Sequence, residues 1–340
     1  MPERIGWDIG GAHVKAALLD DAGKAAGVVQ LACPLWRGLE HLEQAVDAVL
    51  QRFGNPARHA VTMTGELADI FPNRHQGVLQ ICQTLQRKLP QAELNIYAGE
   101  HGFIALSQVE ALTASIASMN WLASAQFVAQ QCHSGVFLDI GSTTTDIVAL
   151  HDGNAQPQGR SDAERLTTEE LIYSGVVRTP VMAVVQRVPF NGQMQRVAAE
   201  HFATMADVYR LTGALPEQHD MSDTADGGGK TQLDSARRLA RMVGRDVEDS
   251  LMLAWQALAH YIARAHAQDI AAGIKRVSGD ADTTPLIGAG AGRFVVKQIA
   301  KKLGRDYVDF ADLVIGDGNE KDWAAVCAPA YAVARLAEQT

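Results

Sequence analysis

Two short segments of this chain set carboxylates, glycines and hydroxyls at spacings suited to holding a phosphate. The first is Asp8-Ile9-Gly10-Gly11-Ala12-His13-Val14-Lys15. Gly10 and Gly11 let backbone N–H groups approach an anion, with Ala12 and His13 completing the turn. Asp8 is placed to hold, through water, a Mg2+ ion that a phosphate ligand brings, and Lys15 can reach the same anion. The second segment is Asp139-Ile140-Gly141-Ser142-Thr143-Thr144-Thr145-Asp146. Gly141, Ser142, Thr143 and Thr144 offer short donors to phosphate oxygens. Asp139 and Asp146 bracket them with negative charge, which suits a bridging cation or a proton to be taken. Each segment alone also fits an ordinary turn between strands; the two together make that reading weaker.

A third glycine cluster, Gly288-Ala289-Gly290-Ala291-Gly292, stands between an apolar run and a helical one. Such a turn lets a ligand lie against backbone at a helix N-terminus. It does not make a dinucleotide fingerprint, because GxGxxG needs glycine where Arg293 stands. Gly227-Gly228-Gly229-Lys230-Thr231 superficially suggests a Walker A loop, but the required first glycine falls on Thr224 and no strand precedes it. Glu66, Asn120, Arg178 and Thr179 lie near expected strand or helix ends, where they can face a ligand or simply pack. His260 and His266 are six apart, which is not a metal-ligand spacing, and His13 reads as a backbone-positioning residue. No GxSxG, HExxH or cysteine–histidine signature is present.

The elements that must position these segments follow from periodicity. Strands are expected over Arg4–Asp8, Val14–Leu19 and Gly27–Ala32, with a hairpin turn at Asp20–Gly23. Gly38–Phe53 and Gly77–Leu89 read as helices, His59–Thr64 and Leu94–Ala98 as strands, and Gln108–Gln131 as one helix or two. The pattern then restarts: Gly135–Asp139 and Thr144–Leu150 repeat the strand–loop–strand unit, and Asp-Ile-Gly recurs at 8–10 and 139–141. A duplicated unit is the simplest account. Asp220–Gly229 reads as a mobile polar loop, Asp234–Val243 and Val247–Val277 as helices, Pro285–Ile287 and Tyr307–Phe310 as strands, Arg293–Leu303 and Asp322–Ala337 as helices. Two α/β domains are therefore expected, 1–134 and 135–340, with the closing helix 322–337 able to pack back on the first.

Composition narrows the partners. The chain has 340 residues, 47% hydrophobic and 20% charged, enough for two cores without staples. Its formal net charge of −9 argues against nucleic acid, which needs a basic face. The four cysteines form no CxxC pair, so a reduced, cytoplasmic setting is expected. Neither a signal peptide nor a membrane span is read in the sequence. A small phosphorylated molecule is the expected partner, and a homo-oligomer is compatible.

The ordered set of motifs resembles the phosphate-1, phosphate-2 and adenosine motifs of the acetate kinase, sugar kinase, Hsp70 and actin superfamily. That resemblance implies two ribonuclease-H-like domains with a ligand cleft between them. Within it the chain is similar to the hydantoinase A/oxoprolinase branch. More narrowly it resembles the tetrahydromethanopterin-linked one-carbon pathway proteins, a group that includes the methanofuran-biosynthesis synthase and its methylotroph counterparts. Met63-Thr64-Gly65-Glu66-Leu67, Asn120-Trp121-Leu122-Ala123, Gly175–Pro180, Phe202-Ala203-Thr204, Asp207-Val208-Tyr209 and Arg238–Met242 carry this narrower likeness. It implies a transferase that joins an aminomethylfuran-methyl diphosphate to a phenolic tyramine derivative and releases pyrophosphate. On that reading Asp139, Asp146, Lys15 and Glu66 form the catalytic set, and Asn120, Arg178 and Thr179 meet substrate. Gly288, Gly290 and Gly292 then join the phosphate loops, and Asp8 and Asp139 hold Mg2+. ATP is compatible but not required, because Ala12 stands where the superfamily often has Thr or Ser. An ATP-dependent hydantoinase-like enzyme or kinase, and an ATP-driven activator, are the alternatives.

Overall fold

The structure is a computed structural model and describes residues 3–338. The chain divides into two compact units. The first comprises residues 1–134, 150–156 and 309–340, and the second residues 135–149 and 157–308. The change at 134/135 lies where the duplicated pattern restarts. The second unit differs from the expected 135–340, because the last 32 residues and a short hairpin belong to the first.

In the first unit six strands form one sheet: β1 Arg4–Ile9, β2 His13–Leu19, β3 Ala25–Ala32, β4 Arg58–Met63, β5 Glu93–Tyr97 and β6 Phe103–Ile104. Their order is β3-β2-β1-β4-β5-β6. β1 pairs antiparallel with β2 and parallel with β4, so Asp8 stands opposite Lys15 on one side and Thr62 on the other. All six residues of β1 are buried. The apolar run follows from that position, since a central strand covered on both faces has no polar side to show.

The return of the C-terminal segment has a steric origin in Gly6. A Cβ there would stand 2.0 Å from the Ala330 carbonyl oxygen and 2.7 Å from the Ala334 methyl. Only glycine lets the helix Ala328–Leu336 lie directly on β1. Phe127, Phe310 and Tyr331 lock the same region, with ring centroids 5.5 and 5.4 Å from Phe127. The expected single helix 322–337 is two, Gly318–Val326 and Ala328–Leu336, broken at Cys327 just ahead of Pro329. Gly6→Ala is expected to destabilise the first unit by about 1–3 kcal/mol or more through overpacking. Urea unfolding followed by intrinsic tryptophan fluorescence measures it, and an unchanged midpoint would disprove the close approach.

The second unit repeats the arrangement. Its strands are β7 Gly135–Ile140, β8 Thr145–His151, β10 Leu171–Ile172, β13 Leu286–Ala289 and β14 Tyr307–Asp309. Strand β9, Asn154–Ala155, pairs with the end of β8, and β11 Arg187–Phe190 with β12 Gln193–Arg196 makes a separate hairpin. The main order is β10-β8-β7-β13-β14, the same third-second-first-fourth-fifth order as in the first unit. β7 is buried throughout and parallel to β13, so Asp139 stands opposite Ala289.

Several elements depart from the periodicity. Gln108–Gln131 is two helices, Val109–Ile116 and Asn120–Gln131, parted by Ser118 at φ 55°. Val247–Val277 begins with a single 3-10 turn, Val247–Asp249, before the long helix Met252–Ser278. The segment 220–230, expected to be mobile, is tied down by ions. Arg210 pairs with Asp220, and Lys230 Nζ donates to the Asp220 carbonyl at 2.7 Å. Arg238 donates to the Gly229 carbonyl and to Asp226, each at 2.9 Å.

Burial keeps a histidine neutral in each unit, His59 in the first and His266 in the second. His59 accepts from Trp7 Nε1 at Nδ1 (3.0 Å) and, with its proton on Nε2, donates to the Pro56 carbonyl at 2.9 Å. Burial pushes it down to about 4, against the opposing effect of the Pro56 bond. Burial likewise pushes His266 down to about 4. In the unfolded chain both titrate near the ordinary histidine value of 6.5 and there bind protons the folded state refuses. Their contribution is therefore complete above pH ~6.5 and is lost as pH falls toward ~4, on the order of 3 kcal/mol for each group. Denaturant midpoints measured from pH 7.5 to 4.5 should fall, and His266→Gln should flatten part of that fall; an unchanged slope would refute the assignment.

Candidate functional site

A carboxylate in a buried central strand is costly unless it has a task or a partner. Each unit places one at the same point: Asp8 in the fifth position of β1, 2% exposed, and Asp139 in the fifth position of β7, 9% exposed. Both stand at the carboxyl end of a parallel pair, where open α/β sheets bind ligands.

In the first unit Asp8 Oδ2 lies 3.3 Å from Lys15 Nζ, and Asn120 Nδ2 donates to Asp8 Oδ1 at 3.5 Å. The structure thus brings together three residues expected at a site. The turn between β1 and β2 is closed by Gly10 N–H donating to the His13 carbonyl at 2.9 Å, which gives His13 its backbone role. Gly10 is required there, since a Cβ would meet that oxygen at 2.9 Å, whereas Gly11 faces open space. The Ala12 carbonyl accepts from Cys33 N–H at 2.8 Å. Thr64-Gly65 packs on this turn: Gly65 has room for no Cβ beside Ile9, Gly10 and Leu35.

Glu66, expected as a proton acceptor, is 1% exposed and accepts from the Ser118 hydroxyl at 2.7 Å. That bond links the Thr64-Gly65 turn to the helix break at Ser118. Nothing in the sequence marked Ser118 as its partner, 52 residues away.

In the second unit three loops converge on the end of β7. The turn after Asp139 is closed by Gly141 N–H donating to the Thr144 carbonyl at 2.9 Å. The hydroxyls of Ser142 and Thr143 stand 3.3 Å apart, so both can reach one anion. The segment Ser174–Thr179 lies against this turn. Val176 N–H donates to the Gly141 carbonyl, and Val177 and Arg178 N–H both donate to the Ser142 carbonyl, at 2.8–3.1 Å. Gly175 makes the approach possible, for a Cβ would stand 2.5 Å from Thr143 N and from the Gly141 oxygen. Thr179 Oγ1 accepts from Gly175 N–H at 2.8 Å, so it braces the loop, while the exposed Arg178 offers a cation beside the turn.

The third loop is 290–292. Gly290 has φ +81°, and its Cβ would meet Asp139 Oδ1 at 2.4 Å. Gly292 N–H donates to the Ile140 carbonyl at 2.8 Å and caps the helix Arg293–Leu303. The glycines expected to admit a ligand are filled by the protein itself: Gly288 by Tyr307 and Val296, Gly290 by Asp139, and Gly292 by Ile140 and Val176. That packing seats the positive end of a helix against the Asp139 turn.

Asp146 has a charged partner. Arg165, itself 1% exposed, donates to Asp146 Oδ1 at 2.8 Å and to the Glu170 carbonyl at 2.9 Å. The pair ties β8 to the helix that carries Arg165. Arg165 sits in a helix, Asp162–Thr168, whose polar sequence gives no sign that one residue turns inward.

Among the described residues no three acidic, histidine or cysteine side chains gather to cage a metal. No helix among the described residues is long and apolar enough to cross a membrane.

Comparison with known proteins agrees with this geometry. Among solved structures, a ROK family glucokinase from Streptomyces griseus, in complex with glucose and AMPPNP, superposes with TM-score 0.51 at 15% identity over 99% of this chain and 100% of that one. A nucleotide-free acetone carboxylase superposes with TM-score 0.58 at 11% identity, over 98% of this chain and 70% of that one. The fold is thus the two-domain α/β fold of sugar kinases and actin-like ATPases. In sequence, the (4-{4-[2-(gamma-L-glutamylamino)ethyl]phenoxymethyl}furan-2-yl)methanamine synthase of Methanocaldococcus jannaschii is 28% identical over 246 residues, 72% of each chain. The protein of the same name from Methanococcus vannielii is 32% identical over 124 residues, 36% of this chain and 55% of that one. The hydantoinase/oxoprolinase family model matches residues 58–340, and the chain belongs to that family.

Proposed function

We propose that the protein is a transferase of furan-cofactor biosynthesis that joins an aminomethylfuran-methyl diphosphate to the phenol of a tyramine derivative. The observation that carries this reading is the 28% identity, over 72% of both chains, to a synthase whose named product contains that aryl furanmethyl ether. The site chemistry is compatible. The carbon–oxygen bond to the diphosphate breaks, its electron pair leaving with pyrophosphate, while the phenolic oxygen bonds to the furanmethyl carbon and gives up its proton.

The leaving charge needs neutralising as that bond breaks. The Gly141–Thr144 turn, the Ser142 and Thr143 hydroxyls, Arg178 and the N-terminus of Arg293–Leu303 supply donors and positive potential in the second unit. Asp139 is the carboxylate left there to take the phenolic proton or to hold a hydrated Mg2+. A bound Mg2+ would neutralise diphosphate oxygens. In the first unit Lys15 and Asn120 hold the Asp8 carboxylate in one orientation.

The test uses purified protein and Mg2+, with the furanmethyl diphosphate and the phenolic amine in one reaction and ATP alone in another. Pyrophosphate and the ether, found by mass spectrometry only in the first, support the transferase. ATP hydrolysis without the pair, and no ether, would replace it with the ATP-dependent reading that the kinase-like fold suggests.

A further inference from the structure

A cavity of about 500 Å³ lies wholly within the second unit, between the Ile172–Thr179 segment, residues 183–184 and one face of the helix Met252–Ser278. That volume falls in the range of small-molecule pockets. Ile172, Val184 and Ala272 give it apolar walls, and Tyr173, 60% exposed, presents an aromatic ring at its rim.

Two buried polar atoms at this cavity have no hydrogen-bond partner. One is Ser174 Oγ, in a residue 8% exposed; the other is His266 Nε2, in a residue with no exposed surface. Tyr209, which is not part of the cavity wall, engages His266 Nδ1 at 2.8 Å. Nε2 is therefore the ring nitrogen still without a partner. Buried polar groups are rarely left unmatched, and each such atom needs a reason. Asp269 adds a carboxylate to the lining. Burial and the neighbouring Glu169 hold its carboxyl above the usual range, a repulsion that a bound cation would relieve.

We infer that this cavity is the binding site for a small phenolic amine, with its hydroxyl at Ser174 and His266, its ring against Tyr173 and its ammonium at Asp269. The choice of a phenol rests on the reaction proposed above, whereas the ammonium rests on Asp269, since the product named for the relative carries the tyramine nitrogen as a γ-glutamyl amide. The location suits an acceptor. Ser174 immediately precedes Gly175, whose Cα lies against the Gly141–Thr143 turn, and Thr179, which also lines the cavity, braces Gly175.

Direct binding to the full chain, by calorimetry, separates this from turnover. Tyramine is the probe, with 4-ethylphenol lacking the ammonium and phenethylamine lacking the hydroxyl. Asp269→Asn should weaken tyramine and phenethylamine by about tenfold and leave 4-ethylphenol unchanged. Ser174→Ala should weaken tyramine and 4-ethylphenol several-fold while leaving Tm unchanged or higher, since it removes an unmatched buried hydroxyl. Ala272→Trp, at an exposed position of the wall, should abolish binding of all three. Tyramine that fails to bind the wild-type chain at millimolar concentration, or binds Ala272→Trp equally well, overturns the assignment. Binding that follows the expected pattern without any pyrophosphate formation keeps the pocket and rejects the reaction. Full ether formation by Ala272→Trp keeps the reaction and rejects the pocket.

Discussion

Asp139→Asn is expected to lower pyrophosphate-forming turnover by about 10²–10⁴-fold, the usual scale for losing a positioned acid–base or ion-holding carboxylate. The fold should persist. Asn matches the size of Asp, and the packing of Gly290 against this side chain depends on its bulk rather than its charge. Equal far-ultraviolet dichroism and a Tm within a few degrees would show that the loss is chemical. The same change at Asp146 should behave in the opposite way. There the carboxylate's partner is the buried Arg165, so Asp146→Asn leaves a buried guanidinium short of its counter-charge and should lower Tm first. Asp139→Asn at wild-type rate would remove Asp139 from the chemistry.

That contrast shows how much of the site the sequence could reveal. Asp8 and Asp139 announced themselves because each interrupts an otherwise apolar strand just before a glycine turn, and both observed sheets place them at equivalent points. Lys15 was legible for a similar reason, since two strands joined by a tight turn force antiparallel register and bring position 15 opposite position 8. The partners of Asp146 and Glu66 were not legible, because what a carboxylate touches depends on what folds against it. Arg165 and Ser118 arrive from 19 and 52 residues away, on elements whose own patterns are ordinary.

The glycines show the same limit. Their presence at 288, 290 and 292 was visible, but not that Tyr307, Asp139 and Val176 would fill the space beside them. Gly6 drew no attention, being a single glycine in a strand, and Gly175 stood out only as part of the Gly175–Pro180 segment that carries the narrower likeness. Only tertiary contact shows that one seats a helix and the other a phosphate-type turn. Two helices over Gln108–Gln131 were one of the expected alternatives, but the break points at Ser118 and Cys327 were hidden because alanine-rich periodicity runs straight through both.

Asp207→Ala is expected to destabilise the second unit by about 3–5 kcal/mol, the cost of uncovering buried charge. Asp207 has no exposed surface. Its Oδ1 accepts from Arg210 Nη1 at 2.8 Å and from Arg238 Nε at 2.9 Å, and its Oδ2 accepts from Thr204 N–H at 3.1 Å. Losing the carboxylate leaves Arg238, 1% exposed, with Asp226 and the Gly229 carbonyl, and leaves Arg210 with Asp220. It also removes the cap of the helix Met205–Leu211. Arg238→Met should cost less, because Arg210 still covers Asp207. The double variant Asp207→Leu with Arg238→Met should recover part of the loss, since no guanidinium is then stranded. The position of the 220–230 segment follows from the same charges, so limited proteolysis should cut it faster in Asp207→Ala and in Arg238→Met alike. Simple additivity of the two substitutions in urea unfolding would show that the ions act separately and that this cluster is not what holds the segment.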